Sequence, residues 1–278
     1  MCRHLAFLGP PTSLAALLLA PGHGLLTQSW APRLQQYGTV NADGFGVGWY
    51  ADGDPKPARY RRAVPMWADP SFADVARVTT TTAALAAVRS ATVGTTQDES
   101  ASAPYTDGKW LFSHNGRIHG WPSSVERIVD AIPAARLLTM EAHVDSALLW
   151  ALVLESLAAG QSPDAALAGT ARTVLEHAEA RMNLLLTDGT TITATAVGDT
   201  LYWRSGPDGV LVASEPSDDA SGWHRVPDNS VLTATTDRVD VRPISYLEIP
   251  GDAVPRPTDR FPLQCCNSAQ TPGRLSKG

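Results

Sequence analysis

The sequence predicts an α+β fold, a layered sandwich of antiparallel sheets with helices packed outside. Three observations carry this. Apolar runs of strand length occupy both ends of the chain. Neighbouring runs are joined by tight-turn chemistry, at Asp52-Gly53-Asp54-Pro55 and at Thr187-Asp188-Gly189. A pair of long helical segments stands between the two groups of strands, an order that favours separate sheets and helices over alternating parallel units.

Taken in order, residues 2–8 read as a short buried strand stopped by Gly9-Pro10-Pro11. Ser13 caps a short helix over 14–19, which Pro21 and Gly22 end. Residues 44–50, Gly-Phe-Gly-Val-Gly-Trp-Tyr, read as a strand whose alternate glycines imply close approach of another backbone. Residues 58–63 return beside it. Asp69 caps a helix over 70–78, and an apolar strand over 84–89 ends in Arg89. Residues 110–113 form a strand that runs into His114-Asn115-Gly116, read as a turn. Ser123 or Ser124 caps a helix over 125–132. Leu148, Leu149, Leu152, Val153 and Leu157 recur at helical spacing until Gly160. Ser162-Pro163 opens a second helix reaching about residue 180. Residues 183–197 form a hairpin, and strands follow at 201–204, 209–213, 231–234 and 239–244. After Pro250 the chain turns rich in Pro, Ser, Gln and Gly. The expected organisation is one domain over residues 2–250 and a flexible tail over 251–278.

Composition narrows the function classes. With 44% hydrophobic and 18% charged residues, the 278-residue chain can bury a sizeable core. A formal net charge of −6 argues against nucleic acid as a partner, since phosphate binding needs a basic face. The one tight basic group, Arg59, Arg61 and Arg62, reads as a solvated strand face. No stretch approaches the roughly 20 apolar residues of a membrane span. Arg3 and the apolar run 14–20 loosely mimic a signal peptide, but the run is short and Pro10-Pro11 interrupt its approach. Cys2, Cys265 and Cys266 are too few for a disulfide framework, which fits a reducing, cytoplasmic setting. The adjacent tail pair lacks the further ligands a zinc site would need.

Cysteine at position 2 is small enough for the initiator methionine to be removed. That leaves a thiol and an α-amine on one residue. In model peptides the amine titrates at about 7.7–8.0 and a thiol at about 8.5. Such an amine can take the thiol proton near neutral pH and produce the thiolate that attacks carbonyl carbon. Asn115-Gly116 offers a side-chain amide and a backbone N–H to a developing oxyanion. Arg89 at a strand end can present its planar fork to a carboxylate. Asp145 can receive an ammonium group, and is equally a natural helix cap. Asn41-Ala42-Asp43-Gly44 can shape a pocket floor.

Together Cys2, Asn41-x-Asp43-Gly44, Arg89-x-x-Thr92, Asn115-Gly116 and Asp145 resemble the class II glutamine amidotransferases over roughly residues 2–250. Within that class, several stretches look like the ergothioneine-biosynthesis amidohydrolases, the EgtC family. They are Met-Cys-Arg-His-Leu, Gln28-Ser29 with Pro32-Arg33, the run from Asn41 to Tyr50, Arg89-Ser-Ala-Thr92 and Phe112-Ser-His-Asn-Gly116. The resemblance implies a four-layer αββα sandwich of the N-terminal-nucleophile type. It implies Cys2 as nucleophile with its α-amine as base, and Asn115 and Gly116 as the oxyanion hole. Arg89 would hold a glutamyl carboxylate and Asp145 its ammonium, with Thr92 and His114 also at the substrate. The implied partner is a small γ-glutamyl molecule, γ-glutamyl-hercynylcysteine sulfoxide, with no metal or organic cofactor. The same residues also suit an ammonia-supplying glutaminase, a general γ-glutamyl peptide hydrolase, or a non-catalytic binder. The sequence assigns no oligomeric state, and no catalytic part to Arg3 or His4, which are expected to pair with neighbours on the first strand.

Overall fold

In the computed structural model, residues 2–38, 40–91, 95 and 97–246 are described. Thr92, Cys265, Cys266 and the expected tail over 251–278 lie outside them. The elements run β1 (Arg3–Ser13), α1 (Leu14–Leu18), α2 (Leu25–Gln28), β2 (Phe45–Trp49), β3 (Ala58–Arg62), α3 (Pro70–Val78) and β4 (Thr80–Val88). Then come β5 (Tyr105–Asp107), β6 (Trp110–Ile118), α4 (Glu126–Val129), α5 (Ala134–Leu138), α6 (Asp145–Ala158) and α7 (Pro163–Leu175). The last strands are β7 (Ala180–Thr187), β8 (Ile192–Ala196), β9 (Tyr202–Gly206), β10 (Gly209–Ala213), β11 (His224–Arg225), β12 (Ser230–Ala234) and β13 (Val239–Pro243).

Two antiparallel sheets result. One has the order β11-β9-β10-β1-β4-β2-β3 and the other β13-β12-β8-β7-β6-β5. Side chains on a strand alternate between faces, so β1 sends Leu5 and Phe7 outward to Leu14, Leu18 and Phe72 of α1 and α3. Its Ala6 and Leu8 face inward, where they meet Leu111, Leu185 and Leu232 of the second sheet. The outer face of that sheet, with Phe112 and Leu184, packs against α6 and α7 through Leu148, Leu149, Leu167 and Val174. The layers are therefore helix, sheet, sheet, helix.

Several expectations hold at the level of single bonds. Ser13 Oγ accepts the Ala16 N–H at 3.2 Å and Asp69 Oδ1 that of Phe72 at 3.2 Å, so both cap their helices. The β2 glycines do mark a close approach. A Cβ on Gly46 would run into the Ala103 carbonyl, and one on Gly48 would sit 3.0 Å from Pro104 and 2.7 Å from Leu111.

Four expectations are corrected. First, β1 continues through Gly9-Pro10-Pro11. Its register with β4 shifts between Leu8 and Thr12, so the prolines sit where no ladder bond is required of them. Second, His114-Asn115-Gly116 is not a turn but the middle of β6, with partners Leu184, Asn183 and Met182 on β7. Third, the helix expected over 125–132 is a 3₁₀ turn plus the single turn α4, and α7 stops at Leu175 so that β7 can begin at Ala180. Fourth, the Arg59/Arg61/Arg62 strand is not simply solvated. Arg59 and Arg61 both clamp Glu141, at 2.9 and 2.7 Å, and Arg62 reaches Glu99 at 3.3 Å, which tethers the edge strand β3. Four short elements, α2, α5, β5 and β11, carry no local sequence signal.

Candidate active site

The site forms where the two sheets open at one end. Arg3 pairs with Val88 across β1 and β4, so one residue further out on each strand stand Cys2 and Arg89. Cys2 is half-buried, with Sγ 4.0 Å from the Ser90 carbonyl. The cleft beside it is lined by Arg89, Ser102, Tyr105, His114, Gly116 and Asp145. Of the residues singled out from sequence, Cys2, Arg89, His114, Gly116 and Asp145 converge here. Asn115 stands on β6 between two of these lining residues, His114 and Gly116, and is wholly buried. Thr92 lies outside the described residues.

The 41–44 segment explains why Arg89 is held there. The Asp43 N–H donates to the Arg89 carbonyl at 3.0 Å, and the Arg89 N–H donates to the Gly44 carbonyl at 2.8 Å. Asp43 Oδ2 accepts the Ala91 N–H at 2.7 Å. The guanidinium donates to the Asp43 carbonyl and to Thr95 Oγ1, each at 3.3 Å. Asn41 anchors the far end, its Nδ2 donating to the Gln28 carbonyl and Gln35 Oε1 at 3.1 Å. The segment is a brace for Arg89 more than a pocket floor, since Asn41 is fully buried and away from the cleft.

On the opposite wall, Asp145 opens α6. Its Oδ1 accepts the Ser146 N–H at 2.8 Å and its Oδ2 the Ile118 N–H at 3.2 Å, joining the helix start to the end of β6. Val144 occupies the capping position, so Asp145 is the first helical residue, where a carboxylate also meets the positive end of the helix dipole. A carboxylate accepts at about four positions, which leaves capacity facing the cleft. A cation on one wall and an anion on the other match the two charges of an α-amino-acid head group.

His114 is fixed from both sides. Its Nε2–H donates to the Arg181 carbonyl at 3.1 Å, while Nδ1 meets Ser146 Oγ at 2.9 Å. Gly116 follows on the same strand, and a Cβ there would overlap the Arg181 carbonyl, so no other residue fits. Arg181 is itself held by Asp199 at 3.2 Å and lies 4.0 Å from the Tyr37 ring.

Behind the nucleophile the two residues that follow it are buried. His4 Nδ1 meets Ser113 Oγ at 3.1 Å, a partner on the other sheet rather than on its own strand. Burial, aided by the nearby His114 and Arg3 charges, pushes the His4 pKa down to about 3, so the ring is neutral. Arg3 is 1% exposed, and none of its side-chain nitrogens has a hydrogen-bond partner among the described residues. Burial lowers its pKa, opposed by Glu215, Asp199 and Cys2. Sequence reasoning missed Ser102 and Tyr105, which lie in a loop and a three-residue strand without pattern. It also missed Ser146, the residue next to Asp145, whose hydroxyl meets His114 Nδ1.

Comparison with known proteins places the chain. The model of class II glutamine amidotransferases matches residues 25–220, a span that includes Arg89, Asn115, Gly116 and Asp145 and begins after Cys2. The γ-glutamyl-hercynylcysteine sulfoxide hydrolase of Mycolicibacterium smegmatis is 42% identical over 248 residues, covering 88% of this chain and all of the relative. Its counterpart in Mycobacterium tuberculosis is 41% identical over 84% of this chain and 93% of the relative. Among solved structures, a glutamine aminotransferase class-II domain protein of Silicibacter pomeroyi superposes with a TM-score of 0.63 at 25% identity, covering 87% of this chain and 99% of that one. With a matching family model across more than half its length, and relatives this similar from end to end, the chain belongs to the class II glutamine amidotransferases.

Proposed function

We propose that this protein is a γ-glutamyl amidohydrolase that cleaves γ-glutamyl-hercynylcysteine sulfoxide in ergothioneine biosynthesis, with Cys2 as the N-terminal nucleophile. The observation that carries the reading is the 42% identity spanning the whole of a hydrolase of that name. The cleft supports it, because Cys2 shares it with a fixed guanidinium and a fixed carboxylate.

Loss of Met1 frees the Cys2 α-amine, which takes the thiol proton. Arg89 binds the glutamyl α-carboxylate and Asp145 the α-ammonium, and the thiolate then attacks the γ-carbonyl. Asn115 Nδ2 and the Gly116 N–H stabilise the oxyanion. The protonated amine returns its proton to the leaving nitrogen as the C–N bond breaks, leaving a γ-glutamyl thioester. Water, deprotonated by the same amine, hydrolyses the thioester to glutamate and free thiol. Nucleophile and base come from one residue, so the route calls on no metal or organic cofactor. Residues 2–250 would form the catalytic unit, and an unpaired thiol nucleophile fits the cytoplasm.

Glutamate release from glutamine, glutathione and γ-glutamyl-hercynylcysteine sulfoxide tests the proposal. The sulfoxide is expected to be cleaved with the highest kcat/KM. Preference for glutamine would replace this reading with an ammonia donor, and preference for glutathione with a general γ-glutamyl hydrolase.

A further inference from the structure

Asn115 makes one side-chain hydrogen bond among the described residues, and it goes to a residue that neither the motifs nor the comparisons single out. Nδ2 donates to Ser214 Oγ at 3.1 Å, while the buried Oδ1 has no partner among the described residues. Ser214 is wholly buried immediately after β10. Its N–H donates to the His4 carbonyl at 3.0 Å, and its Oγ accepts the His4 N–H at 3.0 Å. Its own carbonyl accepts Thr200 Oγ1–H at 2.8 Å. The hydroxyl is thus pinned to β1 two residues beyond the nucleophile, and it reaches across to the other sheet for the carboxamide.

An asparagine carboxamide rotates broadly about its last torsion. A donor for an oxyanion is useful only when its direction is set before charge develops. Asn115 has two Nδ2 hydrogens; the first, given to Ser214, fixes the direction of the second.

We propose that Ser214 is a positioning residue for the oxyanion hole, orienting Asn115 from the nucleophile's own sheet. This rests on the Cys2 thioester reading, but not on the leaving group. Any γ-glutamyl amide that the enzyme cleaves therefore serves as substrate.

The test is a double-mutant cycle in kcat, with Ser214→Ala and Asn115→Ala. Ser214→Ala is expected to lower kcat about 10- to 100-fold, short of the roughly 10²–10³ for losing a donor outright, with KM within about twofold. In the Asn115→Ala background it is expected to cost nothing further. Equal losses in both backgrounds would make Ser214 merely structural, and a pure KM effect or no effect would also overturn the role. A readout independent of turnover is the Asn115 side-chain amide signal in NMR of the Cys2→Ala protein, assigned by its loss in Asn115→Ala. Ser214→Ala is expected to move it, and an unmoved signal would overturn the proposal even if no substrate is cleaved. If Ser214→Ala fails to fold, Ser214→Cys takes its place as a side chain of similar size that accepts weakly, with the same sign and a smaller effect. A wild type that cleaves none of the three substrates would sink the proposed function alone.

Discussion

Arg89 and His4 show how the site depends on single groups whose neighbours are fixed. The Arg89 guanidinium is planar and is held at both ends of its fork by Asp43 and Thr95. A lysine keeps the charge and loses the fork. Arg89→Lys is expected to reduce kcat/KM about tenfold or more, mainly through KM, in steady-state assays; an unchanged KM would remove Arg89 from substrate binding. His4 bears on stability instead. Its folded pKa of about 3 lies below the unfolded value of about 6.5, so between these the unfolded chain binds the extra proton. Stability is therefore complete above pH 6.5 and falls as the pH drops toward 3, by at most about 1.4 kcal/mol per pH unit from this group. Thermal melts between pH 7.5 and 5 are expected to show a steeper loss for the wild type than for His4→Gln. Equal slopes would mean that His4 protonates freely in the fold.

Among the elements, β6 carries the sharpest lesson. Asn-Gly is among the strongest short-range turn signals, yet here every residue from Leu111 to Ile118 has a partner on β7. Tertiary pairing outweighs the local preference, and the glycine is there because the Arg181 carbonyl occupies the space of a Cβ. Gly116→Ala must push β6 from β7 and is expected to cost about 1–3 kcal/mol. A lowered melting temperature with the αββα fold retained checks this; a neutral substitution would contradict the close approach. The features that were legible depend on local chemistry, namely the Ser13 and Asp69 caps, the β2 glycines and the α6 stripe. Those that were not legible depend on partners distant in sequence. The β1 prolines are tolerated by a register shift, Arg59 and Arg61 are neutralised by Glu141, and Ser214 meets Asn115 only because two sheets pack face to face.

At the scale of the whole molecule, the sandwich brings β1 and β4 of one sheet and β6 of the other to a common open end. Sheet one supplies Cys2 and Arg89; sheet two supplies Asn115 and Gly116; the outer helical layer supplies Asp145. Neither sheet alone carries the full set. This distribution explains why the candidate residues, spread from position 2 to 145, were recognisable as a set only through resemblance. No spacing rule connects them.

In the proposed reaction a processed Cys2 carries the γ-glutamyl group. It is tested most directly by rapid acid quench of enzyme with γ-glutamyl-hercynylcysteine sulfoxide, followed by intact-protein and peptide mass spectrometry. The expected result is a chain lacking Met1, with a transient γ-glutamyl adduct on the peptide that begins at Cys2 and none in Cys2→Ala. Full turnover by protein that retains Met1, or an adduct on any other residue, would contradict it.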